Sequence, residues 1–227
     1  MRRSPSSAVW ALVAAALIAG GLYLLGAVSL GSAPSVGDSP AQVLAWLRDH
    51  RDGARLYAWT ATFGTLALAV VLGIVRGLLP RPFGDVFLLG AAAFIVETAV
   101  QAWLWGALAL HPGSIDAGTA RTVLDIASFW GPVLTGATMT MIGAVTVLAL
   151  RTPSSIPRWL AALGLLAFAE QAIETVTVFG THGFIAPGGA MNLTLGATLT
   201  VIWLAGLVVW AARRLALDAA SPVAQAG

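Results

Sequence analysis

Three glutamates, Glu97, Glu170 and Glu174, lie inside long apolar stretches, while every aspartate falls outside such a stretch or at its end. Acids placed for solubility would show the opposite distribution. An ionisable side chain held in hydrocarbon costs about 2.5–3.5 kcal/mol on insertion scales, so it marks a functional site by default. Glu170 and Glu174 are four residues apart, which puts them on one helical face. Thr177 and Thr181 continue that stripe, and Glu97 shares another with Gln101 and, further out, His111. Arginines occur only toward the ends of these stretches. Two neighbouring carboxylates in low dielectric resist joint ionisation, so the pair is expected to share a proton and titrate as a unit.

Such groups can exchange a proton, hold a cation, or, as neutral acids, protonate a substrate. They can also be interhelical glue, worth about 0.6 kcal/mol per contact on average. The candidate catalytic residues are Glu97, Glu170 and Glu174. The candidate ligand-binding residues are these three with Gln101, Thr177, Trp103 and Asn192. Thr60, Thr62, Thr65, Ser128, Thr135, Thr194 and Thr198 fall at similar depth, and the inner halves of the stretches carry fewer such groups. A polar cavity open toward the outer face and closed toward the cytoplasm is the expectation. Arg55 and Arg121 begin two stretches and are the plausible counterions, although Asp125 competes for Arg121 from i+4.

Other chemistries are poorly supplied. There is no cysteine, which removes disulfides, thiol redox chemistry and thiolate metal sites. His50, His111 and His182 show no metal-ligand spacing, so no metal is expected, and no haem or other cofactor. Phosphate-binding glycine loops and nucleophile elbows are absent. There is no lysine, and the 12 arginines are dispersed, which argues against a nucleic-acid partner despite a pI near 9.9.

The elements that must position the glutamates follow from composition. With 58% hydrophobic and 10% charged residues, the chain has too little polar surface for a water-soluble globule, where about 25% charged is usual. A span needs about 20 apolar residues to cross about 30 Å of hydrocarbon. Six such stretches, at about 8–30, 54–79, 83–110, 120–150, 157–180 and 190–212, make a single all-α transmembrane domain. The first is 23 residues long, against 7–15 for the core of a signal peptide, so it is expected to be retained.

Arginines set the direction. With the N-terminus inside, Arg2, Arg3, Arg76, Arg81, Arg151, Arg158, Arg213 and Arg214 face inward, and only Arg48, Arg51, Arg55 and Arg121 face outward. The positive-inside rule then gives N-in and C-in. Ser39-Pro40 caps a short helix over 40–51, expected on the outer leaflet surface with Val43, Leu44 and Leu47 toward lipid. Trp10, Trp46, Trp59, Trp159 and Trp210 read as interfacial belts. Gly131-Pro132 should kink the fourth span.

A shift of 77 residues aligns Pro80-Arg81 with Pro157-Arg158 and Glu97-Thr98 with Glu174-Thr175, as a helical-hairpin repeat would. Each glutamate then lies sixteen residues, about 24 Å, from an inner-face arginine, in the outer half of the bilayer.

In plan the chain resembles an uncharacterised bacterial family of small six-helix membrane proteins, a domain of unknown function. The resemblance rests on the helix at 40–51, the His111-Pro112 step, Pro157-Arg158-Trp159-Leu160 opening span five, and Arg213-Arg214 closing span six. It implies the fold and a bacterial plasma-membrane location, and brings no catalytic residues.

Three functions fit the glutamates. One is a site for a small lipophilic or cationic ligand, with proton-linked transport as its fuller form. Another is an intramembrane enzyme using a neutral glutamic acid as general acid on a lipid or terpenoid. The last is a non-catalytic sensor or assembly partner. Membrane lipid is an expected partner in each, and a chain of this length points to a homodimer for transport.

Overall fold

The structure, a computed structural model, describes residues 5–151 and 154–220. Arg2 and Arg3, which carry part of the expected charge bias, lie outside the described residues. All regular structure among those described is helical: α1 (Pro5–Leu30), α2 (Pro40–Asp49), α3 (Arg51–Leu78), α4 (Phe83–Leu108), α5 (Ala117–Ser128), α6 (Trp130–Leu150), α7 (Arg158–Glu174) and α8 (Ala197–Ala220). With α5 and α6 taken together as one span, six of these segments are long and apolar enough to cross a membrane. Helices are what such sequences must form in hydrocarbon, because only there is every backbone polar group satisfied within its own segment.

Three spans depart from regular α-helix. The fourth breaks at Phe129, between α5 and α6. Pro132 lacks the N–H that the Ser128 carbonyl would otherwise accept, so the expected kink falls one turn back from the proline. α7 runs on as a 3-10 turn, Thr175–Phe179, and α8 is entered through a π-helical turn, Met191–Gly196.

The spans pack in chain order into a closed ring: α1 on α3, α3 on α4, α4 on α6, α6 on α7, α7 on α8, and α8 back on α1. At the end holding residues 79–82 and 154–157, the interior is filled by Leu12, Val75, Phe87, Met141, Leu160 and Leu207. This arginine-rich end is tied by Arg76 to Asp85 at 2.5 Å, by Arg151 stacked 4.6 Å above the Phe83 ring, and by Trp210 Nε1 donating to the Ser155 carbonyl at 3.1 Å. At the opposite end a smaller apolar cluster joins Val43, Leu47, Ala54, Leu108, Ala120 and Leu124. Between the two lies a buried polar layer that includes Thr60, Thr65, Thr98, Thr135, Glu174 and Asn192.

The second cluster corrects one expectation. α2 forms as its sequence dictates, with Ser39 and Gln42 in a reciprocal cap and Pro40 in the first turn. Its apolar face, however, packs on α5 and the ends of α3 and α4, not on lipid: Val43 and Leu47 are fully buried there. Two of the tryptophans expected in the interfacial belts are packed against protein. Trp46 stacks on His50 with ring centroids 4.6 Å apart, and Trp210 is buried at the end of α8. Trp10, Trp59 and Trp159 stay exposed.

Three arginines of the α2 end are engaged in holding connectors. Arg48 donates to the Pro112 carbonyl at 3.3 Å, and Arg51 to the carbonyls of Ala109 and Leu110 at 3.2 Å each. Arg121 bridges Asp125, at 2.8 Å, and the carbonyls of Val36 and Asp38.

Candidate functional site

The stripe on α7 faces inward. Glu170, Glu174 and Thr177 are buried beside α8, at 7%, 3% and 0% exposure. Thr181, one further turn along the expected stripe, is exposed, because the helix ends at Phe179 and the chain turns extended at Gly180. Irregular backbone at membrane depth is tolerated where it is enclosed by protein, and here the 3-10 turn and the π turn both lie against α6 and α7.

Gln171 joins the two acids. Its Nε2 donates to Glu170 Oε2 at 2.9 Å and to Glu174 Oε2 at 2.7 Å. Asn192, on the first π-helical turn, donates from Nδ2 to Glu174 Oε1 and to Thr177 Oγ1, the latter at 3.4 Å. The Asn192 Oδ1 accepts from the Gly188 N–H at 3.0 Å, which fixes the orientation of the amide. Two glycines let these groups close up. A methyl on Gly196 would sit 1.9 Å from Glu174 Oε2, and one on Gly131 would sit 2.8 Å from Asn192 Cγ.

The two carboxyl groups end up in unequal positions. Both Glu174 oxygens accept hydrogen bonds. Glu170 Oε2 accepts one, but Glu170 Oε1 is buried with no partner among the described residues. No Arg or His among the described residues lies within ion-pair distance of either acid. A buried, unsatisfied polar atom costs about 1–3 kcal/mol, more for a charged group, so its retention calls for an explanation. Glu170 also lines a hollow of about 250 Å³ between α7 and the start of α8, walled by Leu166, Ile173, Met191, Leu195 and Leu199.

No family model matches this chain. No curated protein and no solved structure matches it either. The six-helix resemblance therefore lends no residues to the site, and the chemistry rests on the geometry alone.

That geometry divides the expected residues into two groups. Glu170, Glu174, Thr177 and Asn192 come together, with Gln171 as a member that the spacing argument missed. Glu97 and Gln101 stand apart on α4, which α6 separates from α7. Glu97 is half-buried with Oε2 lacking a partner, and Gln101 Oε1 accepts from the Tyr57 hydroxyl. Gly90 abuts Ala137 and Met141, so by antiparallel register Glu97 comes level with the first turns of α6. Trp103 is 68% exposed on the outward stripe of α4 with Val96 and Val100, and does not line a site with the acids. The expectation of one cavity shared by all three glutamates is corrected accordingly.

Arg121 is not a counterion to the acids, since it is engaged by Asp125 and two carbonyls. Arg55 is exposed. Among the other threonines, Thr60 donates to the Tyr57 carbonyl at 3.0 Å and Thr135 to the Pro132 carbonyl at 2.6 Å, while Thr194 and Thr198 line a second hollow beside α8. Among the described residues no cluster of metal-ligating side chains occurs.

Proposed function

We propose that this is a multi-pass protein of a bacterial plasma membrane, with both termini inside and α2 on the outer side, and that its α7–α8 carboxylate pair binds a small lipophilic or cationic ligand. In this reading Glu174 is the anchor, held by Gln171 and Asn192, and Glu170 is the group that meets the ligand. The observation that carries it is Glu170: it lines the hollow, and its buried Oε1 has no hydrogen-bond partner among the described residues. Proton-linked transport is the fuller form, because a carboxyl without a paired cation can trade a proton for a bound charge. The breaks at Phe129, Thr175 and Met191 are the natural places for the backbone to move in such a cycle. General-acid catalysis on a terpenoid is less well supported, since the hollow at Glu170 has aliphatic walls and no aromatic ring to stabilise a carbocation.

The test separates the two acids. Glu170→Gln keeps the bond from Gln171, so its fold should hold, while molecules co-purifying in native mass spectrometry and proton uptake into liposomes should fall. Glu174→Gln turns an amide N–H toward the donors of Gln171 or Asn192, which should lower stability by about 1–3 kcal/mol. If both variants lose stability and neither changes bound molecules or proton uptake, the acids are glue and the reading fails.

A further inference from the structure

We propose that the notch between α7 and α8 at the arginine-rich end binds the headgroup of an anionic phospholipid, whose phosphate is held between Arg158 and Arg213. This surface lies at the other end of α7 from Glu174 and does not depend on the carboxyl pair.

The notch follows from how α8 meets the start of α7. Gly206 lets the two helices close up: a methyl there would fall 3.0 Å from Trp159 Cζ3 and 3.3 Å from Leu160 Cδ1. One turn on, Trp210 Nε1 donates to the Ser155 carbonyl at 3.1 Å. Gly206, Trp210 and Arg213 follow one another at i, i+4 and i+7, so Arg213 continues the stripe of α8 that faces α7. Arg213 is exposed, and so is Arg158 in the first turn of α7. Trp159 rests the far edge of its ring on Gly206 and is 45% exposed, as indole rings are where they settle at a membrane surface. Toward the middle of the spans, Leu165, Leu166 and Ile202 are exposed on the outer surfaces of α7 and α8, where acyl chains would lie.

The partner follows from the charge left over. Among the described residues only two acids, Asp85 and Asp218, belong to this end. Asp85 is taken by Arg76 at 2.5 Å and Arg81 at 3.5 Å, and Asp218 by Arg214 at 3.3 Å. Arg151 is stacked on the Phe83 ring, away from the notch. The guanidiniums of Arg158 and Arg213 have no acid within ion-pair distance among the described residues. Positive charge is therefore balanced where α3 meets α4 and unbalanced where α7 meets α8. Guanidiniums present forked donors that match phosphate oxygens. A soluble anion would meet the same donors, but a lipid also lays its chains on the exposed leucines, and Trp159 marks the level of its headgroup. A zwitterionic headgroup would set its own ammonium against the two arginines, so a lipid of net negative charge fits best.

The test titrates the full chain in detergent with dioleoylphosphatidylglycerol or dioleoylphosphatidylcholine and reads bound lipid by native mass spectrometry. The wild type should hold phosphatidylglycerol at least about tenfold more tightly, as two arginines at one headgroup would give. Arg158→Gln and Arg213→Gln should each cut that preference about fivefold. Arg81→Gln removes the same charge from the same end and leaves Asp85 to Arg76, so it should keep the preference. An equal loss in Arg81→Gln would overturn the notch, because net charge alone would then account for binding. Equal retention of the two lipids by the wild type, a comparison that needs no variant to fold, would overturn the proposal outright. Displacement of the lipid by millimolar glycerol phosphate would make this a site for soluble anions and overturn the lipid as its occupant.

Discussion

Glu170 and Glu174 are the same side chain four residues apart, and their neighbours give them different work. Amide N–H groups of Gln171 and Asn192 occupy both oxygens of Glu174, while one buried oxygen of Glu170 has no partner among the described residues. Asn192→Asp tests the anchoring directly. It preserves shape and the acceptor for Gly188, but removes the donor and sets a third carboxyl against Glu174 and Thr177. A loss of about 1–3 kcal/mol is expected in a detergent melt, and an unchanged melt would contradict the anchoring role. Gly196→Ala presses on the same point from the backbone, since the new methyl would fall 1.9 Å from Glu174 Oε2 and 3.0 Å from Gln171 Nε2. It should cost about 1–3 kcal/mol by overpacking. Gly73→Ala is the control: nothing lies within 4 Å of its added methyl, so it should be neutral or gain about 0.5–1 kcal/mol from helix propensity. Equal effects at the two glycines would argue that Gly196 has no special contact. The stripe of Glu170, Glu174 and Thr177 is legible from spacing alone. Gln171 is not, because one residue turns a helix by about 100°, and only the position of α8 brings it back to the acids.

At the scale of elements, what spacing and hydropathy reveal are the spans, and what they hide are the irregular turns. Six apolar segments of sufficient length follow from composition. The passage of α7 into a 3-10 turn and the π-helical entry to α8 have weaker signals: the β-branched run Thr175-Val-Thr-Val178 before Gly180, and nothing distinctive over Met191–Gly196. The α2 face shows a second limit, since an apolar stripe announces burial without saying whether lipid or protein covers it. Local caps, by contrast, are readable and testable. Asp116 caps α5 by accepting from the Thr119 hydroxyl at 2.6 Å and the Thr119 N–H at 2.9 Å, and these bonds hold its carboxyl below the usual range. A carboxyl lowered in the folded state stabilises above its unfolded value, and that contribution disappears as pH falls through the lowered one. Hydrogen exchange over 117–122 should therefore stay slow until the pH is below about 3.9, the ordinary value of an aspartate. Asp116→Ala should exchange fast at every pH. Early loosening in the parent at higher pH would show that the cap is not what holds this turn.

For the whole molecule, the two ends of the ring are unlike, and their difference gives the site its direction. One end is filled by a continuous apolar core beneath Arg76, Arg81, Arg151 and Arg158; the other is covered by α2 and α5 over a layer of buried polar groups. Glu174 stands sixteen residues along the span from Arg158, about 24 Å of rise in a hydrocarbon layer of about 30 Å, so it is nearer the α2 end. Placing that end outside, as proposed, puts the buried carboxyl pair in the outer half of the bilayer, with the apolar core between it and the cytoplasm. The absence of native cysteine makes the orientation directly measurable with single substitutions at exposed serines of opposite ends, Ser114→Cys and Ser155→Cys. A membrane-impermeant maleimide applied to intact spheroplasts should modify Ser114→Cys at once and Ser155→Cys only after the membrane is opened. The reverse pattern would invert the protein and turn the pair toward the cytoplasm. Labelling of both from outside would contradict an odd number of crossings between residues 114 and 155, and with it the ring of six spans. Only the first outcome agrees with the arginine bias, because residues 81 and 158 flank short connectors, where positive charge opposes translocation most effectively.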